Sequence, residues 1–382
     1  MSLKSGAGKS TRSRVMFLHF EASNSGSTRM FLDFLKYLGK PDLEFLPFLC
    51  FYRGGPLLGE FESLGFPVSV FDRETDRELR LRSRFERMAS LFWFCATLIR
   101  IRPRLLYSNS VTTSTSVLIA GCLGIRTIVH VHEGPRYLDR VGLNLRFSAK
   151  VTDRFIAGSR YCASGISGVL RRTADVVHNW TLVEAQGNMS TPMERTFVTI
   201  GVVGTIDRNK QQSLALLAIR ALDKKYDGKF KLKIIGPAAD VAYAQDLLRL
   251  AELLGVSGLV EVTGAIPGAD AIYPQLDIVL IASMEETFSL VAIEAARFGK
   301  KIVAADVGGI REALASQADA RFFRAGDWRG LTAALESALD EGAQKPGTLE
   351  PGAIQDNANP AEVAPTGPAR LLELIRTELP AN

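Results

Sequence analysis

The chain has 382 residues, 47% hydrophobic and 23% charged, a balance ordinary for a soluble globular protein and a length that fits two domains better than one. Its net charge of +5 hides an asymmetry, because residues 1–180 hold 26 Lys and Arg against 15 Asp and Glu while the remainder is net acidic. The basic half predicts an anionic neighbour, yet no aromatic-basic RNA-binding signature or DNA-binding motif accompanies it, so nucleic acid is excluded as an expected partner. Cys50, Cys95, Cys122 and Cys162 lie far apart without a CxxC pair. That spacing argues against a zinc site and for reduced thiols buried as small hydrophobes in a cytoplasmic protein.

Residues 1–13 are polar and lack an apolar core, which predicts a disordered start and excludes a signal peptide. Gly8-Lys9-Ser10 is the tail of a P-loop pattern, but Leu3 stands where the pattern needs glycine, and no strand can precede it. Arg14–Phe20 reads as the first strand, followed by the small-residue loop Ser23–Arg29 and a helix over Met30–Leu38, the opening unit of a doubly wound sheet. Further strands are expected at Phe45–Phe51 and Val68–Phe71. Asp72–Arg87 is dense in charge, and nine arginines fall between Asp72 and Leu105. Among them Met88–Ile99 is too short to span a bilayer and reads as a core helix or as an interfacial one on an anionic membrane. A strand over 104–110, a helix over Thr115–Leu123 and a strand over Thr127–Gly134 come next. His130 and His132 share a strand face there, beside Glu133, an incomplete ligand set for a metal. Val151–Ala157 is a further strand, and residues 14–180 form the first domain.

Residues 181–196 are polar, with Gly and Pro, and read as a linker. From Val198 to Leu339 strands and helices alternate as a parallel Rossmann-like sheet requires, giving a second domain over 197–341. Strands are expected at Phe197–Gly204, Phe230–Pro237, Val260–Gly264, Ile278–Ala282 and Lys301–Ala305. The helices expected between them include Gln211–Lys224, Ala242–Leu254 and Leu290–Phe298. Residues 342–367 are rich in Gly, Pro, Ala and Asn and read as flexible, and Ala369–Leu379 as an amphipathic helix.

The most informative stretch is Ser283–Ala295. Ser289 is the expected N-cap of the helix that follows, so the amides of Ser289, Leu290 and Val291 point out of a helix start that favours a phosphate. Glu294, about a turn inward, is placed to accept hydrogen bonds from a ribose diol, and Glu286 to reach a hydroxyl beyond a second phosphate. Together these features describe a sugar nucleotide.

Glu286, seven intervening residues and Glu294, followed by Ala304-Ala305-Asp306-Val307-Gly308-Gly309-Ile310-Arg311-Glu312, resemble the donor site of retaining glycosyltransferases of family four. That family has the GT-B fold, so the resemblance implies two Rossmann-like doubly wound parallel-sheet domains facing a central cleft. It covers nearly all of residues 14–340 and is specific from 198 to 312. It implies transfer of a hexose-type sugar from a nucleotide diphosphate sugar to a hydroxyl acceptor, lipid-linked or in a cell-surface polysaccharide. No cofactor or protein-held metal is implied, and the chain contains no Asp-x-Asp pair. The resemblance further makes Gly26 a residue of the loop near the donor phosphates, His132 a contact of the transferred sugar, and Gly204 with Lys210 the clamp on the diphosphate. Thr205 departs from the family's arginine after that glycine, and Arg208 is the expected substitute. The Gly236 turn and the residues after Gly264 would border the base. In GT-B proteins the last helix often returns to the first domain, and the family's residues before that return are not recognisable here. Two rivals stand beside transfer: a GT-B sugar-nucleotide 2-epimerase and a non-catalytic sugar-nucleotide-binding protein.

Overall fold

The computed structural model describes residues 12–39, 43–72, 84–183, 197–317, 319–343 and 367–379. The readings of a disordered start, of a linker and of a flexible segment over 342–367 lie largely outside the described residues. So does much of the charge-dense stretch after Asp72. The described residues fall into two units, one drawn from Met1–Gly158, Cys162–Val177 and Pro365–Asn382, the other from Ser159–Tyr161 and His178–Ala364.

The first unit is built on a seven-stranded sheet. Its strands are β1 Ser13–Glu21, β2 Phe45–Arg53, β3 Val68–Asp72, β4 Leu105–Ser108, β5 Arg126–Val131, β6 Arg154–Ala157 and β7 Asp175–Val176. They run in the order β3-β2-β1-β4-β5-β6-β7, every pairing parallel. Helices must cover both faces of such a sheet, so its central strands carry apolar runs rather than alternation. Val15 to Leu18 and Leu105 to Tyr107 are completely buried. Phe17 sits among Phe31, Phe34, Phe45 and Tyr107, with ring centroids 5.4 to 6.3 Å apart.

The second unit has six parallel strands, β8 Val198–Val203, β9 Phe230–Ile235, β10 Val260–Gly264, β11 Ile278–Ile281, β12 Lys301–Ala305 and β13 Arg321–Phe323. Their order is β10-β9-β8-β11-β12-β13. Each unit is therefore a doubly wound Rossmann-like sheet, and the pair of them is the GT-B architecture.

Several elements depart from the sequence reading. The first helix starts at Gly26 rather than Met30, because Ser25 caps it through the Thr28 amide at 3.4 Å. Helices at Pro135–Arg140 and Gly142–Val151 occupy a stretch to which the sequence reading assigned nothing, and β13 adds an edge strand of three residues. Cys50 and Cys162 are buried, but Cys122 is exposed at the end of its helix. The final helix, Gly367–Glu378, belongs to the first unit. There Glu378 accepts a 2.7 Å bond from Arg154 Nε, whose guanidinium also pairs with Asp175 at 2.7 Å. Among the described residues no helix is long and apolar enough to cross a membrane.

Candidate functional site

In an open α/β sheet a ligand crevice forms where neighbouring strands send their connections to opposite sides. In the second unit that point lies between β8 and β11, and the loops leaving their carboxyl ends carry Lys210 and Glu286. Lys210 Nζ donates to Glu286 Oε1 at 2.6 Å, and Ser283 Oγ donates to the same oxygen at 2.7 Å. The lysine side chain remains 23% exposed and the glutamate 10%. The ion pair is thus rimmed by protein and still open to a ligand.

Backbone stitching holds the two loops. Asn209 Nδ2 donates to Glu285 O and the Glu285 amide donates to Asn209 Oδ1, both at 3.1 Å, while the Met284 amide reaches Asn209 O at 2.8 Å. Asp207 turns the first loop by accepting from the amides of Asn209 and Lys210 at 2.9 and 3.0 Å. Thr205 donates to its other oxygen at 2.5 Å. The residue that replaces the expected arginine therefore braces the loop. The Arg208 guanidinium pairs with Asp240 at 3.4 Å and lies over the Tyr243 ring.

Glycines fix how closely these loops approach. Gly204 has φ +132, and a Cβ on Gly236 would lie 1.9 Å from the Gly204 carbonyl. On the other side, a Cβ on Gly308 would lie 1.9 Å from the Glu286 carbonyl, and the Gly309 amide donates to that carbonyl at 2.9 Å. The Gly308-Gly309 turn thus sets the backbone that carries Glu286.

Beyond Glu286 the helix Leu290–Arg297 begins. Ser289 holds the N-cap position, but its side chain makes no capping bond and its φ is +83, a strained conformation for a residue with a Cβ. The expected serine cap is thereby corrected. Leu290 and Val291 therefore open the helix without a side-chain acceptor from Ser289. Glu294, partly buried one turn in, accepts a 2.7 Å bond from the hydroxyl of Tyr273. Glu312 of the same unit accepts from the amides of Arg160 and Tyr161 at 2.8 and 3.1 Å and pairs with His178 at 3.0 Å.

The equivalent crevice of the first unit, at β1 and β4, gathers neutral groups. His132, just past the end of β5, bonds through Nε2 to Asn109 Oδ1 at 3.2 Å, and its ring lies 4.2 Å from that of His130. Tyr107 hydrogen bonds to His130 Nδ1 at 2.6 Å. His19 meets Thr28 at 2.9 Å, and Thr28 meets Ser25 at 2.8 Å. Gly26 is the first residue of the capped helix, where its part is to continue the backbone past Ser25. Burial, and secondarily the nearby His132, pushes the His19 pKa down to about 3; the same causes hold His130 well below the usual histidine range. Burial also raises the Glu133 carboxyl, even though Ser110 and the His132 amide donate to it. No group of three or more His, Cys, Asp or Glu among the described residues is placed to hold a metal ion.

The structure brings together Gly204, Lys210 and Glu286, and sets Ser289, Leu290, Val291 and Glu294 on the adjoining loop and helix. Asn209, Ser283 and Tyr273, which hold these side chains, carry no motif of their own in the sequence.

Two such sheets with this strand order define the chain as a GT-B protein, and solved structures agree. A crystal structure of Anabaena Alr3699/HepE in complex with UDP and glucose matches with a TM-score of 0.72 at 17% identity, over 87% of this chain and 91% of that one. Sucrose-phosphate synthase from Thermosynechococcus elongatus matches with a TM-score of 0.70 at 14% identity, over 96% and 99%. Residues 191–353 match the family Glycosyl transferases group 1. D-inositol 3-phosphate glycosyltransferase of Segniliparus rotundus is 34% identical over 121 residues, 31% of this chain. The protein of the same name from Corynebacterium aurimucosum is 31% identical over 146 residues, 37% of this chain. These matches span only 27% and 35% of the two relatives' own lengths.

Proposed function

We propose that the protein transfers a sugar, of hexose type, from a nucleotide diphosphate sugar to a hydroxyl acceptor with retention of anomeric configuration. The observation that carries this reading is the 2.6 Å contact between Lys210 and Glu286 at the switch point of the second sheet. A cation there neutralises charge on the leaving diphosphate as the glycosidic bond breaks, and stabilising developing charge is usually the largest single catalytic contribution. The first-turn amides at Ser289, Leu290 and Val291 add partial positive charge for the phosphates. Glu286 orients the sugar, Glu294 receives the ribose, and Gly204 lets the loop carrying Lys210 turn. Arg208, already paired with Asp240, is a poor candidate for the phosphates, which leaves Lys210 as the principal cation.

The relatives named for an inositol phosphate acceptor and the neighbour holding UDP and glucose support a polar hydroxyl acceptor and a sugar-nucleotide donor. No metal or other cofactor is part of the proposal. Synthesis of a cell-surface polysaccharide or glycolipid, on the cytoplasmic side and in contact with anionic membrane, is the setting that fits a basic first half. Phe85, Met88, Phe92 and Ile99 are exposed on the helix Arg84–Ile101, in keeping with that contact.

The test is a thermal-shift panel of UDP-, GDP- and ADP-sugars on the wild-type chain and on Glu294→Ala, because a ligand that binds only the folded state raises its stability. One nucleotide series should raise the midpoint of the wild type and not of the variant. Lys210→Ala and Glu286→Ala should each lower transfer by about 100-fold or more with the fold intact. Near-normal turnover in either would refute the assignment.

A further inference from the structure

Glu294 does not stand alone. Its Oε2 accepts a 2.7 Å hydrogen bond from Tyr273, a side chain that is 0% exposed. Tyr273 sits in the short turn Tyr273–Gln275 ahead of β11, with its ring stacked on Phe298 at 5.2 Å. It belongs to an apolar cluster with Leu276, Ala292, Ala295 and Ile302. A phenol in such surroundings needs a partner for its hydroxyl. The partner it has is the carboxylate that the proposed function assigns to the ribose.

The chemistry of that contact is one-directional. Burial, together with the adjacent carboxylate, pushes the Tyr273 pKa far above its usual value, so the phenol stays neutral and donates. A charge-assisted bond of this kind is stronger than a neutral one and fixes one oxygen of Glu294. A free glutamate side chain loses rotamer freedom when it is pinned by a ligand. Here the ring, locked by Phe298 and the aliphatic cluster, has pinned it in advance.

We propose that Tyr273 is a positioning residue that aims the Glu294 carboxylate at the two ribose hydroxyls, and so sets selectivity for ribonucleotide over dideoxyribonucleotide donors. The inference rests on the reading of Glu294 as the ribose acceptor. Tyr273→Phe removes a single oxygen and keeps the ring in its cluster. The alternative is a tyrosine that merely fills the core, and its removal would lower stability without altering ribose discrimination.

The test is calorimetric titration of the full chain with UDP, GDP and ADP, each beside its 2′,3′-dideoxy counterpart. Wild type, Tyr273→Phe, Glu294→Asp and Glu294→Ala are compared. Wild type should prefer one ribonucleotide over its dideoxy form by about tenfold or more, and Tyr273→Phe should cut that preference by about fivefold through weaker ribonucleotide binding alone. Glu294→Asp keeps the charge but draws it back from the phenol by one methylene, and it should lose a similar share even if Tyr273→Phe folds poorly. If Glu294→Ala loses the preference while Tyr273→Phe and Glu294→Asp keep it, the role of Tyr273 is overturned and that of Glu294 stands. If wild type shows no preference or no binding, or if Glu294→Ala retains the preference, the reading of Glu294 falls and the role of Tyr273 falls with it.

Discussion

At the carboxyl ends of its strands the first unit collects neutral, covered groups, His19, Tyr107, Asn109, His130 and His132, whereas the second collects a charged pair, Lys210 and Glu286, that solvent can still reach. The first arrangement survives burial because His19 and His130 are held uncharged and the three histidines are bonded to hydroxyls and an amide. The second tolerates charge because two carboxylate contacts and a stitched backbone hold the ions at the surface of a crevice. A neutral network admits many substitutes of similar shape. A lysine that must meet a glutamate across two loops, beside glycines whose Cβ positions are occupied by backbone, admits few. The family match falls on the second kind, over residues 191–353.

The comparison can be broken from either side. The largest effect is expected from Gly308→Ala, where φ is +54 and the new methyl would fall 1.9 Å from the Glu286 carbonyl. The backbone must shift, so we expect a loss of about 2 to 4 kcal/mol in urea unfolding, with donor binding weakened as well. An unchanged unfolding midpoint would show that the glycine does not set the loop.

Acid addresses the first unit. Histidines whose folded pKa is depressed contribute stability that is complete above the unfolded value near 6.5 and lost as pH falls from there towards about 3 for His19. The slope contributed by each such histidine is about 1.4 kcal/mol per pH unit inside that window. His19→Gln should flatten the curve between pH 6.5 and 4, and identical curves for the two proteins would remove His19 as a cause. Lys210→Ala should leave that slope as it is.

The smallest effect is expected at the last helix. Glu378→Gln weakens the bond to Arg154, a pair partly open to water, and should cost about 1 kcal/mol or less. Faster limited proteolysis after Gly367, at unchanged nucleotide binding, would accompany it; equal rates would mean that apolar burial of Leu371 and Ile375 holds the helix unaided.

Much of the fold was legible because parallel sheets write themselves as apolar runs, as in Ile278–Ile281 and Lys301–Ala305. Lys210, Glu286 and Glu294 were legible because charged residues stood at the ends of such runs in a familiar spacing. The start of the first helix was misplaced because Ser25 and Thr28 read as loop residues until their mutual bond is seen. Residues 135–150 went unassigned because their proline and glycine suggest turns, and the strand expected from Val151 begins only at Arg154. Ser289 looked like a cap by composition, and only its φ reveals otherwise. Asn209 and Tyr273 could not be found, since their partners lie 76 and 21 residues away and no local pattern records either contact.

The salt link between Arg154 and Glu378 joins residues 224 positions apart within one unit. During synthesis the ribosome must deliver the entire second unit before the helix that completes the first emerges. The second can therefore fold while the first still lacks a covering element, and apolar surface awaiting Leu371, Leu374 and Ile375 stays exposed for that interval. The first unit is thus completed only after the second has been made.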